Sequence, residues 1–191
     1  MILASGSPQR RAILEQLGIA FTVVVPDVDE LTSGPPEEVA LENAHRKASA
    51  VVAGQRASID NEAVLGVDTI VALGSVIYGK PGDREAAAAM LQALGGRSHR
   101  VLSGLCVIED GGARTAAAVT TVNFRPLDER MLAWYLDTDE WRGRAGGYAI
   151  QGRGAALVDS IEGDYLNVVG LPVTTLLDLL PSLLFPAVFR Q

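Results

Sequence analysis

Cysteine is almost missing from this 191-residue chain, with Cys106 the sole example. A single thiol excludes an internal disulfide framework and a cysteine-built zinc site. Cys106 lies in the apolar run Leu105-Cys106-Val107-Ile108, the setting of a buried, inert thiol rather than a nucleophile. Long apolar runs are absent too. No stretch approaches the roughly 20 residues that a membrane-spanning helix needs, and no basic segment with a long apolar one behind it opens the chain. No signal peptide or membrane partner is expected, and the expected location is cytoplasmic.

Positive charge is scarce and unevenly chosen. The formal net charge is −7, which argues against a nucleic-acid polymer as partner, because such a binder presents a basic face. Of the 16 basic residues only Lys47 and Lys80 are lysines; the rest are arginines. A compact ammonium differs from a guanidinium fork in reach and in how its pKa can be tuned. Where arginine serves nearly everywhere, two retained lysines draw attention. The two histidines, His45 and His99, are too isolated in sequence to suggest a metal pair.

What the chain does have begins at its start, Ile2-Leu3-Ala4-Ser5-Gly6-Ser7-Pro8-Gln9-Arg10-Arg11. Three apolar residues make a short strand, Gly6 permits a sharp turn, and Pro8 suits the first turn of a helix. The free N–H groups of that helix start, the Ser5 and Ser7 hydroxyls and the Arg10 guanidinium together predict an anion site.

The length suits one α/β domain over residues 1–191, burying roughly 70% of its unfolded surface. The first helix is expected to run from Pro8 to about Leu17, with Ala12, Ile13, Gln16 and Leu17 inward. A strand follows over Ile19 to Val25, then an acidic loop containing Asp27, Asp29 and Glu30. A helix over Pro36 to Ala53 turns Leu41, Ala44, Ala48 and Val51 inward. After a polar connection, Ala63 to Leu73 reads as a central strand buried on both faces, returning through Gly74-Ser75 into Val76-Ile77-Tyr78. Later segments give a helix after Asp83, a hairpin around Asp110-Gly111-Gly112, a short helix after Asp128 and a last helix from Pro172. An apolar tail, Leu183 to Gln191, is left to pack on the body or on a second subunit. Hairpins mixed with helical crossovers predict a mixed, twisted sheet flanked by helices, with a cleft at strand ends.

Asp68 is the sharpest single residue, because a carboxylate within an eleven-residue apolar run must be paired, protonated or metal-bound. Placed at the end of a central strand it would reach the ligand cleft of an α/β sheet as a tuned base or a metal ligand. Glu30 offers a second carboxylate for a divalent ion. Gly74 to Lys80 approaches a phosphate-binding loop in spacing, but Pro81 stands where that loop needs Ser or Thr. Lys80 therefore reads as an ammonium held by a rigid Gly-Lys-Pro turn and aimed at phosphate.

In order along the chain stand Leu3-Ala4-Ser5-Gly6-Ser7-Pro8 with Arg10, Asp27-Val28-Asp29-Glu30, Lys47-Ala48, Gly66-Val67-Asp68-Thr69 and Gly79-Lys80-Pro81. Ser103-Gly104-Leu105, Gly147-Tyr148-Ala149-Ile150-Gln151-Gly152 and the run from Ile161 to Pro172 complete the set. With these blocks the chain resembles the Maf-like nucleoside triphosphate pyrophosphatases over nearly its whole length. The resemblance implies hydrolysis of a nucleoside triphosphate to the monophosphate and pyrophosphate, a divalent metal such as magnesium or manganese, and a homodimer. It implies Asp68 as proton acceptor, with Ser5, Arg10, Lys47 and Lys80 on the phosphate side. Thr69 and Gln151 match two of three specificity positions of the branch that takes dTTP and UTP; the third is an arginine in that branch and Gln9 here. The alternatives are a nucleotide-binding regulator of cell division with little turnover, or a pyrophosphatase of modified or purine nucleotides.

Overall fold

The computed structural model describes residues 1–54 and 62–184. Most of the expected polar connection before the central strand, and the apolar tail beyond residue 184, lie outside the described residues. The strands are β1 (Ile2–Ala4), β2 (Thr22–Val23), β3 (Val64–Leu73), β4 (Val76–Tyr78), β5 (Ser98–Glu109), β6 (Gly112–Phe124) and β7 (Val158–Glu162). The helices are α1 (Pro8–Gln16), α2 (Pro36–Gly54), α3 (Arg84–Leu94), α4 (Glu129–Leu136), α5 (Tyr165–Val169) and α6 (Val173–Leu179). Short 3₁₀ turns cover Ala145–Gly147, Arg153–Leu157 and Pro181–Leu183.

One mixed sheet runs in the order β2-β1-β3-β5-β6-β7, with β4 paired to β3 outside that path. β1 is parallel to β2 and β3, while the pairs β3–β4, β3–β5, β5–β6 and β6–β7 are antiparallel. The second strand is shorter than the Ile19 to Val25 expected. Only Ile2 and Leu3 of its partner β1 are in register with it, opposite Thr22 and Val23, and Val24 N–H adds one more bond to Leu3 O at 3.1 Å.

Alternation along β3 and β5 sends their side chains to opposite faces. Leu65, Val67, Leu105 and Val107 pack with Leu3, Ile13, Leu14, Leu171 and Leu176 on one face. On that face Val71, Val101 and Val122 also meet Leu91, Leu94, Tyr135 and Trp141. The other face is closed by α2, whose Ala44, Ala48 and Val51 pack with Val64 and Cys106. Burial pushes the Cys106 thiol up to about 11, as an inert thiol requires. Gly66 and Gly104 lie on that face; a Cβ at either would run into the α2 main chain at Ala44 or Ala40. Their bareness lets α2 lie close enough for its side chains to reach Asp68.

The inward face of α1 differs from expectation. Arg10, Ile13 and Leu14 are buried, while Ala12, Gln16 and Leu17 are exposed. A stripe sought among apolar residues passes over Arg10, and the helix is rotated so that this guanidinium turns inward.

Candidate active site

β1 ends at Ala4, paired with Gly66 of β3, and β4 takes up the same edge of β3 only at Val71, paired with Tyr78. A cavity of about 750 Å³ opens at this break. Ser5, Ser7, Gln9, Arg10, Glu30, Lys47, Asp68, Thr69, Lys80 and Gln151 all line it. The fold thus brings together every side chain that the sequence marked out. Asp68 reaches the cavity differently from expectation. It is the fifth residue of the ten in β3, not a strand-end residue, and it is accessible because the neighbouring strand stops short.

Asp68 is 6% exposed and is held on both oxygens. The Lys47 ammonium lies 2.6 Å from Oδ1, and the Asn43 amide donates to Oδ2 at 3.0 Å. Lys47 lies 2.7 Å from Glu30 Oε1 as well, so one ammonium joins two carboxylates. Burial alone would push the Asp68 carboxyl up. The charge and hydrogen bond of Lys47, the Asn43 bond and the charge of Arg10 outweigh it and hold the group below its ordinary value.

Asn43 also fixes the loop that carries Glu30: its Oδ1 accepts from Leu31 N–H at 2.7 Å, and its Nδ2 donates to Leu31 O at 3.0 Å. Sequence reasoning missed this residue. The signal was its place on the buried stripe of α2, with Ala40, Ala44 and Lys47; a buried amide there needs partners.

At the start of α1 the serines organise themselves. Ser7 caps the helix, its Oγ accepting from Arg10 N–H at 3.5 Å and donating to Gln9 Oε1 at 3.2 Å. Ser5 Oγ accepts from Ser7 N–H at 3.2 Å and from the Arg10 guanidinium at 2.7 Å. Arg10 donates further to Gly170 O at 2.9 Å and to Thr69 Oγ1 at 3.1 Å. It is therefore a strut between α1, β3 and the end of α5, with its charge beside the cavity. Burial pushes its guanidinium down from the ordinary value, while Asp68 and Glu30 push it back up. Thr69 Oγ1 lies 2.9 Å from Ser103 Oγ and 3.3 Å from Gly170 O.

Lys80 lies two residues beyond β4, after Gly79, is exposed, and has no ion-pair or hydrogen-bond partner among the described residues. The near phosphate-loop spacing before it is a hairpin, with β4 where a phosphate loop would bend. Arg144 is a second cation that the sequence did not single out. It lines the cavity, and its buried Nε makes no hydrogen bond. Its turn is tied to the Lys80 segment by Gly146 N–H donating to Gly79 O at 3.1 Å, with Gly146 at φ 68° against Val71.

Cations and hydroxyls thus surround a break in the sheet of this α/β protein, with the buried carboxylate of Asp68 among them. The chain belongs to the Maf-like protein family, whose pattern matches residues 1–183. It is 44% identical over 188 residues to a dTTP/UTP pyrophosphatase of Symbiobacterium thermophilum, covering 97% of this chain and 95% of that protein. Proteins of the same name from Pyrococcus furiosus and Alcanivorax borkumensis are 41% and 44% identical. Each of these matches covers 94% of this chain and 93% of the relative. Among the described residues no helix is long and apolar enough to cross a membrane.

Proposed function

We propose that this protein hydrolyses nucleoside triphosphates, dTTP and UTP first among them, to the monophosphate and pyrophosphate. The observation that carries the reading is Lys47 held between Asp68 and Glu30 inside a cavity whose rim supplies Arg10, Lys80 and Arg144. A triphosphate carries about four negative charges, and an acidic protein can hold it only where its cations are focused. The names of the relatives support the same substrates.

In this reading Lys80, Arg144 and the α1 start bind the phosphate chain, and Asp68 takes a proton from the water that attacks the α-phosphorus. The bond from that phosphorus to the bridging oxygen breaks, and pyrophosphate leaves. Asp68 paired to Lys47 is a weak base. As the phosphates draw the ammonium toward themselves, burial acts on Asp68 with less opposition and its basicity rises. Ground-state pairing thus becomes catalytic competence only with substrate present.

A divalent metal belongs to the proposal. The described residues hold no cluster of three or more metal-ligating side chains. Yet the Glu30 and Asp68 oxygens already converge on one cation, the Lys47 ammonium. Two carboxylates completed by phosphate oxygens and water suit magnesium or manganese, so the donor set fits an ion that arrives with the substrate. Glu30 and Asp68 would hold it, and it would neutralise charge on the leaving pyrophosphate. A homodimer is also part of this reading, and light scattering tests it.

The test is pyrophosphate release over a panel of UTP, dTTP, CTP, GTP and ATP. UTP and dTTP are expected to give the highest kcat/KM, and a purine in first place would overturn the base assignment.

A further inference from the structure

The carbonyl of Gly170, at the end of α5, accepts from two residues of the site: Arg10 Nε at 2.9 Å and Thr69 Oγ1 at 3.3 Å. Its direction therefore bears on where the Arg10 guanidinium points. α5 has five residues, too few to hold a helix in water unaided, so its pose comes from what grips it. Leu166 and Val169 pack against the cluster of Leu105, Leu171 and Leu176 and set the depth of the helix. Apolar packing is non-directional and does not by itself aim a carbonyl. The directional bonds come from the sheet. Thr120 of β6 is fully buried, and its Oγ1 accepts from Asp164 N–H at 3.1 Å and from the Asn167 amide at 2.9 Å. The same hydroxyl donates to Asp164 O at 3.1 Å. A hydroxyl has one donor and two acceptor positions, so Thr120 commits all three to α5 and its cap. Asn167, also fully buried, donates to Val101 O of β5 at 3.1 Å.

We infer that Thr120 and Asn167 are positioning residues for Arg10, acting through the Gly170 carbonyl from outside the cavity. They tether the cap and the middle of α5 to β5 and β6. Leu166 O, which accepts from Gly170 N–H and Leu171 N–H at 2.9 Å each, carries that pose to the end of the helix. Neither Thr120 nor Asn167 lines the cavity, so neither touches substrate. Arg10 has Nε on Gly170 O and its two terminal nitrogens on Ser5 Oγ and Thr69 Oγ1. A planar fork held at three corners keeps one orientation. With the Gly170 carbonyl turned away, the fork loses a corner and the Thr69 hydroxyl loses an acceptor. Charge-assisted hydrogen bonds weaken steeply with misalignment, so a guanidinium that swings serves a phosphate less well than one held still. The tether aims the cation; the cation meets the substrate.

This role rests on the proposed nucleotide substrate, and the experiment keeps the two apart. kcat/KM for UTP is measured on Thr120→Val, which keeps the shape and removes the hydroxyl, and on Thr120→Ser, which keeps the hydroxyl. Thr120→Val is expected to lose about tenfold, mostly in KM, while Thr120→Ser stays close to wild type. Thr120→Val is then repeated in Arg10→Ala and Lys80→Ala backgrounds. Its loss is expected to vanish beside Arg10→Ala and to persist beside Lys80→Ala. An equal loss in both backgrounds overturns the inference, because the tether would then be a general brace of the fold. So does Thr120→Val with wild-type kinetics, or Thr120→Ser as poor as Thr120→Val. The Arg10 Nε–H resonance, identified by its loss in Arg10→Lys, reads the same contact without substrate. Its exchange with solvent is expected to be about tenfold faster in Thr120→Val; an unchanged rate overturns the inference. Should Thr120→Val fail to fold, Asn167→Ala carries the same readings. Faster exchange in a protein that releases no pyrophosphate upholds the positioning role and sinks the proposed reaction alone.

Discussion

The Lys47 ammonium lies 2.6 Å from Asp68 Oδ1, with 9% and 8% of the two side chains exposed. Desolvating two charges costs several kcal/mol, and only close contact with further hydrogen bonds offsets it. Asn43 and Glu30 supply those contacts, so four side chains form one unit. Removing any one member strands the others.

Asn43→Ala is the gentlest way to break that unit. It leaves Asp68 Oδ2 without its donor and frees Leu31 on both main-chain groups. A stability loss of about 1–3 kcal/mol is expected in urea titration, with a higher KM because the loop bearing Glu30 is no longer fixed. Unchanged stability and KM would show that the amide is incidental.

Lys80 and Arg10 carry the same charge but should fail differently. Lys80 is exposed, so Lys80→Ala is expected to raise KM and leave the melting temperature within a degree or two. Arg10 ties together Ser5, Thr69 and Gly170, so Arg10→Ala should lose activity and stability together. Thermal scans beside kinetics check both, and equal stability loss in the two variants would contradict the assignment.

Two groups make acid stability fall in separate windows. His99 lies buried with its Nε2 2.9 Å from the Tyr148 hydroxyl, and burial lowers its pKa from 6.5 to about 4. The unfolded chain takes up a proton near pH 6.5 that the folded one refuses until about pH 4. Stability is therefore complete above pH 6.5 and declines as pH falls toward 4, by roughly 3 kcal/mol. Asp68, held below its ordinary 3.8, adds a further loss only below that pH, where the unfolded carboxylate protonates first. In His99→Gln, which keeps an amide for Tyr148, denaturation should become nearly flat between pH 6.5 and 4. A slope equal to wild type would mean that His99 is not the titrating group.

Gln9 accepts the Ser7 hydroxyl at 3.2 Å and lines the cavity with Thr69 and Gln151. An amide there lacks the fixed charge and donor fork of an arginine. Gln9→Arg is expected to sharpen the preference for UTP and dTTP over CTP and GTP severalfold in kcat/KM. No change in these ratios would remove position 9 from base selection.

Much of this was legible in the sequence. Asp68 announced itself as a charge in an apolar run, and Lys47 and Lys80 as lone lysines among arginines. The mixed sheet followed from hairpins alternating with helices. What escaped depends on relations between distant segments. Asn43 matters through Leu31 and Asp68, contacts that only the docking of α2 on Gly66 and Gly104 creates. Arg144 was hidden in a Gly/Arg-rich stretch whose course depends on Gly146 meeting Val71. The break in the sheet beside Thr69 exists because β1 ends where it does, and no single residue encodes that ending.

The central claim is that Asp68 drives attack at the α-phosphorus. ³¹P NMR of UTP turnover by wild type and Asp68→Asn, in water enriched with ¹⁸O, tests it most directly. The wild type is expected to give UMP and pyrophosphate in equal amounts, with the heavy oxygen in UMP. Asp68→Asn, still folded by circular dichroism, should be slower by roughly 10²-fold or more. Release of UDP and orthophosphate, or an Asn variant turning over at the wild-type rate, would contradict it.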